Sequence, residues 1–301
     1  MSSTTSLRLT GYGGTAARTT ARSGRRLAVS GAYGVRVDGI DVPPGQLVDA
    51  PSSWPAVELR VKLMSAPTAA FEYVDEHQAR LNVRSGGAVL MDRLAARATF
   101  TLPATPSGSA LLHPHLAAVG AVWAYWLGHE AFHAGAFVAD GGVWGVLGDK
   151  GAGKSSMLVA LARAGVEIVC DDVLVLDGSR ALAGPRSIDL RSDASRRLGI
   201  GECLGVVGDR ERWRVSLPPI EPTLPFRGWI ALSWSERAAI GSLHGADRLR
   251  ALLQHRALRV LPRGPSALLN LAGFPFLEFC RPRRWTEIDD ASSSLLDALS
   301  G

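Results

Sequence analysis

Residues Gly148-Asp149-Lys150-Gly151-Ala152-Gly153-Lys154-Ser155 complete the pattern G-x-x-x-x-G-K-[ST] of a phosphate-binding loop. The motif requires a strand before it and a helix after it, so it constrains the fold more than any other feature of the chain. Val143 to Leu147 is an apolar run of strand length. Met157, Leu158, Leu161 and Ala162 then recur at helical spacing, and Gly165 ends that helix. Val166 to Cys170 predicts a second buried strand, which closes on Asp171-Asp172. The unit is β–loop–α–β with two acids at the tip of its second strand.

The chemistry of such a loop is specific. Gly151 and Gly153 lack Cβ and can turn several backbone N–H groups inward, toward the positive end of the following helix. Gly148, Asp149, Lys150, Ala152 and Ser156 complete the expected nucleotide cradle. Lys154 would reach the β/γ-phosphates and the Ser155 hydroxyl would ligate magnesium, which makes a nucleoside triphosphate and Mg2+ the expected ligands. The chain has only three lysines, Lys62, Lys150 and Lys154, and two of them fall in this loop.

The 301 residues suffice for two domains, and 47% apolar content supplies a core. The net charge of +5 is carried almost wholly by scattered arginines, so nucleic acid is not an expected partner. Cys170, Cys203 and Cys280 form neither a disulfide framework nor a zinc pattern, which fits a reducing, cytoplasmic setting. Leu116 to Gly128 is too short to span a bilayer, and no membrane partner is expected. No signal peptide is read in residues 1–30, which are Ser/Thr/Arg-rich and lack acids, a composition shared by a transit peptide and by a polar leader into a first strand such as Ser6 to Thr10. Ala56 to Leu63, Ala79 to Val83 and Ala98 to Leu102 alternate as strands, and Pro103 to Gly108 reads as a linker. The predicted division is a β-rich region, 1–108, and a phosphate-loop domain, 109–301. His113 to Gly128 predicts a buried helix in the second.

His129-Glu130-Ala131-Phe132-His133 matches H-E-x-x-H, the zinc-protease motif, which needs both histidines on one helix. The following AGAFVAD reads as a strand, no third ligand stands at a familiar spacing, and a zinc site is not expected.

From His133 to the acidic strand the chain resembles the HPr serine kinase/phosphorylase family. That family carries a histidine, a strand–turn–strand, a GDSGxGKS loop and a strand ending in two aspartates. Here these are His133, AGAFVADGGVWGVL, Gly148 to Ser155, and Asp171-Asp172. Leu111 to Val138 and Ala183 to Leu190 further resemble the kinase-like proteins of peptide natural-product clusters, including those acting on lasso-peptide precursors. The resemblance implies an α/β fold with an HPr-kinase-like core, a mixed sheet flanked by helices, beside a β-rich N-terminal region. It implies an ATP-dependent serine kinase acting on a peptide or small protein. Asp171 is the candidate base, His133 would hydrogen-bond and orient it, and Asp172 is the second magnesium contact beside Ser155. The family's magnesium-binding glutamate is not recognisable; Asp189 is the available stand-in.

Val173 to Leu182 predicts a hairpin turning at Asp177-Gly178. Trp213 to Leu217, Trp229 to Ser233 and Phe276 to Cys280 predict strands, and Ser292 to Leu299 a closing helix. Ala246 to Arg259 predicts a helix with Arg248, Arg250, Arg256 and Arg259 on a solvated face. Arg212, Arg214, Arg227, or one of Arg281, Arg283 and Arg284, could clamp phosphate. A P-loop hydrolase or a nucleotide-sensing module working through a protein partner are the alternatives, and self-association is left open.

Overall fold

In the computed structural model the described residues are 29–65, 71–83, 86–258 and 265–300. The expected strand near Ser6, the leader and Arg259 lie outside them. The architecture is mixed α/β, with a β-rich N-terminal region, as expected.

The first sheet holds β1 (Ser30–Ala32), β2 (Val35–Asp38), β3 (Val48–Asp49), β4 (Ala56–Leu63), β5 (Tyr73–Val74), β6 (Gln78–Asn82), β7 (Ala88–Asp92) and β8 (Arg97–Leu102). Its order is β3-β1-β2-β4-β8-β7-β6-β5. The period-2 pattern fixes its inner face: in β8, Ala98, Phe100 and Leu102 are buried and the residues between them are not. The pairs β2–β4 and β4–β8 are parallel.

Ser107 accepts a hydrogen bond from the Ala110 N–H and starts α1 (Gly108–Ala110). The chain continues through a π-type stretch, Leu111–His115, into α2 (Leu116–Leu127). The predicted helix from His113 is therefore corrected: His113 takes extended angles (φ −146, ψ 121) ahead of Pro114, and the regular helix begins at Leu116. A proline disfavours helical angles in the residue before it, which places the break at His113. Gly128 closes α2 at φ +81. Among the described residues no helix is long and apolar enough to cross a membrane.

The second sheet takes β9 (Glu130–Phe132), β10 (Gly135–Ala139), β11 (Gly142–Leu147), β12 (Ile168–Cys170), β13 (Leu174–Asp177), β14 (Arg180–Leu182), β18 (Thr223–Trp234), β19 (Ala239–Ser242) and β20 (Phe276–Arg281). Its order is β12-β10-β11-β18-β14-β13-β9, with β20 parallel to β18 and paired with β19. All of β11 is buried, as befits a central strand covered on both faces. The β10–β11 turn uses Asp140 (φ +48) and Gly141 (φ +68), the left-handed pair that matches strand twist. A third sheet, β15 (Ser187–Leu190), β17 (Arg210–Ser216) and β16 (Glu202–Val207), stands apart from it.

Helix α3 (Lys154–Arg163) packs against α7 (Ile288–Ser300); α4 (Ser192–Leu198), α5 (Ala246–Gln254) and α6 (Pro265–Ala272) complete the set. One apolar cluster joins Tyr33, Val57 and Phe100 of the first region to Trp126, Phe132 and Trp229 of the second. A second cluster, with Leu158, Ile230, Phe279 and Leu295, underlies α3.

Tyr33 links the two regions. It is fully buried, and its N–H donates to the Ala183 carbonyl at 2.8 Å. A Cβ on Gly120 of α2 would stand 2.5 Å from its ring, and one on Gly184 would stand 2.9 Å away. Gly120→Ala should therefore cost about 1–3 kcal/mol through overpacking, against about 1 kcal/mol gained in helix propensity. Thermal unfolding should show a lowered midpoint; an unchanged or raised one would mean that the ring does not need the missing methyl.

Candidate active site

Strand β11 delivers the chain to the phosphate loop at its carboxyl end, where ligands of parallel strands are received. Gly151 (φ +92) and Gly153 (φ +81) adopt the left-handed angles anticipated for them, and Gly153 caps α3. Ala152 is buried and donates its N–H to the Asp149 carbonyl at 2.9 Å. Asp149 and Lys150 are exposed, and the Asp149 carboxylate accepts from Gln254 Nε2 at 2.8 Å. Ser155 and Ser156 are half-buried on the first turn of α3. Lys154 is buried, and its Nζ donates to the Gly148 carbonyl at 2.5 Å. Burial pushes its pKa down, opposed by Asp171, Asp172 and Asp149.

The two aspartates at the end of β12 divide. Asp171 is 5% exposed and its Oδ1 accepts from Ser155 Oγ at 2.9 Å. Burial raises its pKa to about 6, against the influence of His113. Asp172 is turned by a left-handed backbone (φ +79), and its Oδ1 stands 3.2 Å from His133 Nδ1. Burial pushes the Asp172 carboxyl up, but His113, His133, Arg212 and Lys154 together hold it below the usual range. The expected partnership is thus corrected: His133 reaches Asp172, while Asp171 meets the magnesium candidate Ser155. The physical reason is the turn at Asp172, which sends consecutive carboxylates to different neighbours.

Asp189 does not stand free as a metal ligand. Arg214 grips it through Nε (2.8 Å) and Nη2 (3.0 Å), Arg212 Nη1 lies at 3.6 Å, and the carboxylate is fully buried. Arg214 also donates to the Ser109 and His113 carbonyls, which removes it from the phosphate-clamp candidates. Arg227 pairs with Asp140 at 3.0 Å, at the opposite end of β11 from the loop, and is removed too. The helix expected to reach Arg259 ends at Gln254. Arg248 donates to the Leu243, Ala272 and Phe274 carbonyls; Arg250 pairs with Asp247; Arg256 reaches Glu130 at 3.1 Å.

His129 and His133 flank β9. Such a separation is roughly 13 Å along a strand, against roughly 6 Å on a helix. His129 lies 3.3 Å from Asp177, and Glu130 is held by Arg256. Among the described residues no group of three or more His, Cys, Asp or Glu is placed to hold a metal. Magnesium needs only one or two protein oxygens, and the hard donors Ser155 Oγ and Asp171 Oδ1, already in contact, fit it.

The loop, both aspartates and His133 line one cavity of about 840 Å3. Toward β18 and β20 its wall is Trp234, Arg281 and Arg283. Toward the first sheet it continues past Pro114 and His115 to Leu81 and Phe100. The residues that sequence reasoning missed are Trp234, whose Nε1–H donates to the Gly151 carbonyl at 3.2 Å, and Gln254. Neither carries a local signal, since pairing distant in sequence brings them to the loop.

No family model matches the chain, and no curated protein matches it. Among solved structures, the Hpr(Ser) kinase/phosphatase from Coxiella burnetii is similar at 15% identity and a TM-score of 0.29, over 57% of this chain and 99% of that one.

Asp171 also sets a pH dependence. Its folded pKa lies above the unfolded value, so its contribution favours folding at acid pH and is lost as pH rises from about 4 through about 6. In nucleotide- and metal-free protein, Asp171→Asn should be more stable than wild type at pH 7.5 by up to about 3 kcal/mol. The gain should vanish below pH 4. Denaturant unfolding at the two pH values measures it, and a pH-independent difference would place Asp171 in a solvated setting.

Proposed function

We propose that the chain is an ATP-dependent phosphotransferase that moves the γ-phosphate to a serine hydroxyl of a peptide or small protein. The observation that carries this reading is a histidine-held carboxylate, Asp172–His133, sharing a cavity with a formed phosphate loop. A loop alone serves hydrolases, sensors and kinases alike. An ionised carboxylate lining the cavity, oriented by an imidazole, is what a hydroxyl nucleophile requires.

The inward N–H groups of the loop, the α3 dipole and the Lys154 ammonium hold the triphosphate. Ser155 and Asp171 would hold magnesium, which supplies neutralisation of phosphate charge when bound. Asp172 accepts the proton of the attacking hydroxyl, and its lowered pKa keeps it ionised at neutral pH. His133 fixes the carboxylate's orientation. The roles first given to the two aspartates are therefore exchanged in this proposal. The arm of the cavity toward Leu81 and Phe100 supports an acceptor larger than water, because it leaves room beyond the loop.

Single-turnover transfer from ATP to serine peptides, with ATP affinity measured by calorimetry, tests the reading. Lys154→Ala should weaken nucleotide binding and abolish turnover. Asp172→Asn should retain ATP affinity and lose transfer by about 100- to 10,000-fold, and His133→Ala should lose less. Phosphate release without any acceptor would favour a hydrolase, and near-normal transfer by Asp172→Asn would sink the proposed base.

A further inference from the structure

Arg281 ends β20 and is 3% exposed, yet among the described residues no carboxylate pairs with it. Its Nη2 donates to the Ala152 and Gly153 carbonyls, each at 3.1 Å, and Trp234 covers the guanidinium at 4.2 Å from ring centroid to Cζ. Its Nε is buried without a hydrogen-bond partner. The group lines the phosphate-loop cavity.

Three costs coincide at this side chain. Burial removes the guanidinium from water and lowers its pKa to about 10, so it remains charged. Its neighbour Gly153 caps α3, and the positive end of a helix dipole repels a cation. One N–H remains unsatisfied in a buried setting. Two carbonyls and a tryptophan face offset only part of this. An anion arriving at the loop would relieve the first two, the uncompensated charge and the repulsion from the helix end.

We propose that Arg281 is a phosphate-binding residue of this site, a guanidinium supplied from β20 that the polyphosphate of a bound nucleotide neutralises. The inference rests on reading the cleft as a nucleotide site and extends that site to a residue outside the loop motif. Trp234 acts as a positioning residue: it holds the guanidinium against the loop and hydrogen-bonds the Gly151 carbonyl. The planar fork can serve the loop carbonyls and a phosphate oxygen together, which an ammonium cannot do.

The test titrates full-length wild type, Arg281→Gln and Arg281→Lys with Mg-ATP and with inorganic tripolyphosphate, and follows thermal unfolding without ligand. Losing one charge-assisted contact predicts that Arg281→Gln weakens both ligands by a similar factor, about 10- to 100-fold. Arg281→Lys should fall between the two. Ligand-free Arg281→Gln should unfold at the wild-type temperature or above it, because an uncompensated buried charge has been removed. Unchanged affinities in a wild type that binds both ligands would overturn the role of Arg281 and leave the nucleotide site standing. A loss confined to Mg-ATP would overturn it in favour of a nucleoside contact. A lowered ligand-free midpoint would overturn it in favour of a structural brace. A wild type that binds neither ligand would overturn the nucleotide site along with it.

Discussion

The burial of positive charge at the end of β11 is the constraint on which the site depends. Lys154 lies out of water with its Nζ folded onto the Gly148 carbonyl, while Met157, Leu158 and Leu161 seat α3 in the core. The loop cannot relax to solvate the ammonium without withdrawing these side chains. Asp171, Asp172 and Asp149 compensate part of the charge, and none forms a close ion pair with it among the described contacts. The result is a preorganised cation in a concave, low-dielectric setting, where an incoming anion is worth far more than at an open surface.

The adjacent carboxylates show how backbone geometry sets chemistry. Asp171 and Asp172 share a peptide bond, yet their pKa values are displaced in opposite directions. Asp171 points into the protein, where desolvation prevails. Asp172 turns at φ +79 to stand against His133, and the charges of His113, His133, Arg212 and Lys154 outweigh its burial. Neighbouring acids pushed apart in this way can take different tasks within one cleft.

What the sequence made legible was local. The loop, β11, α3 and the acidic strand end follow from spacing within some thirty residues, and the structure contains each of them. The hairpin at Asp177-Gly178 is likewise present. The helix start misplaced at His113 is a local error, since Pro114 stood in the sequence to signal the break; the errors in the site are of long range or of backbone sign. No residue pattern announces that Asp172 turns to His133. Asp189 loses its availability to Arg214, which arrives on a different strand. Arg281 reads as one member of a basic cluster until the β18–β20 pairing buries it beside the loop. The parallel pairs of the first sheet are equally invisible to a pattern of alternation, because alternation fixes faces and not partners.

Tyr33 carries an implication for ancestry. Its ring fills the space left by two absent side chains, at Gly120 and Gly184, which lie on segments far apart in the chain. A sheet borrowed from another protein would arrive without that fit. Substitution at any one of the three positions would have to be answered at the others, so the three should co-vary.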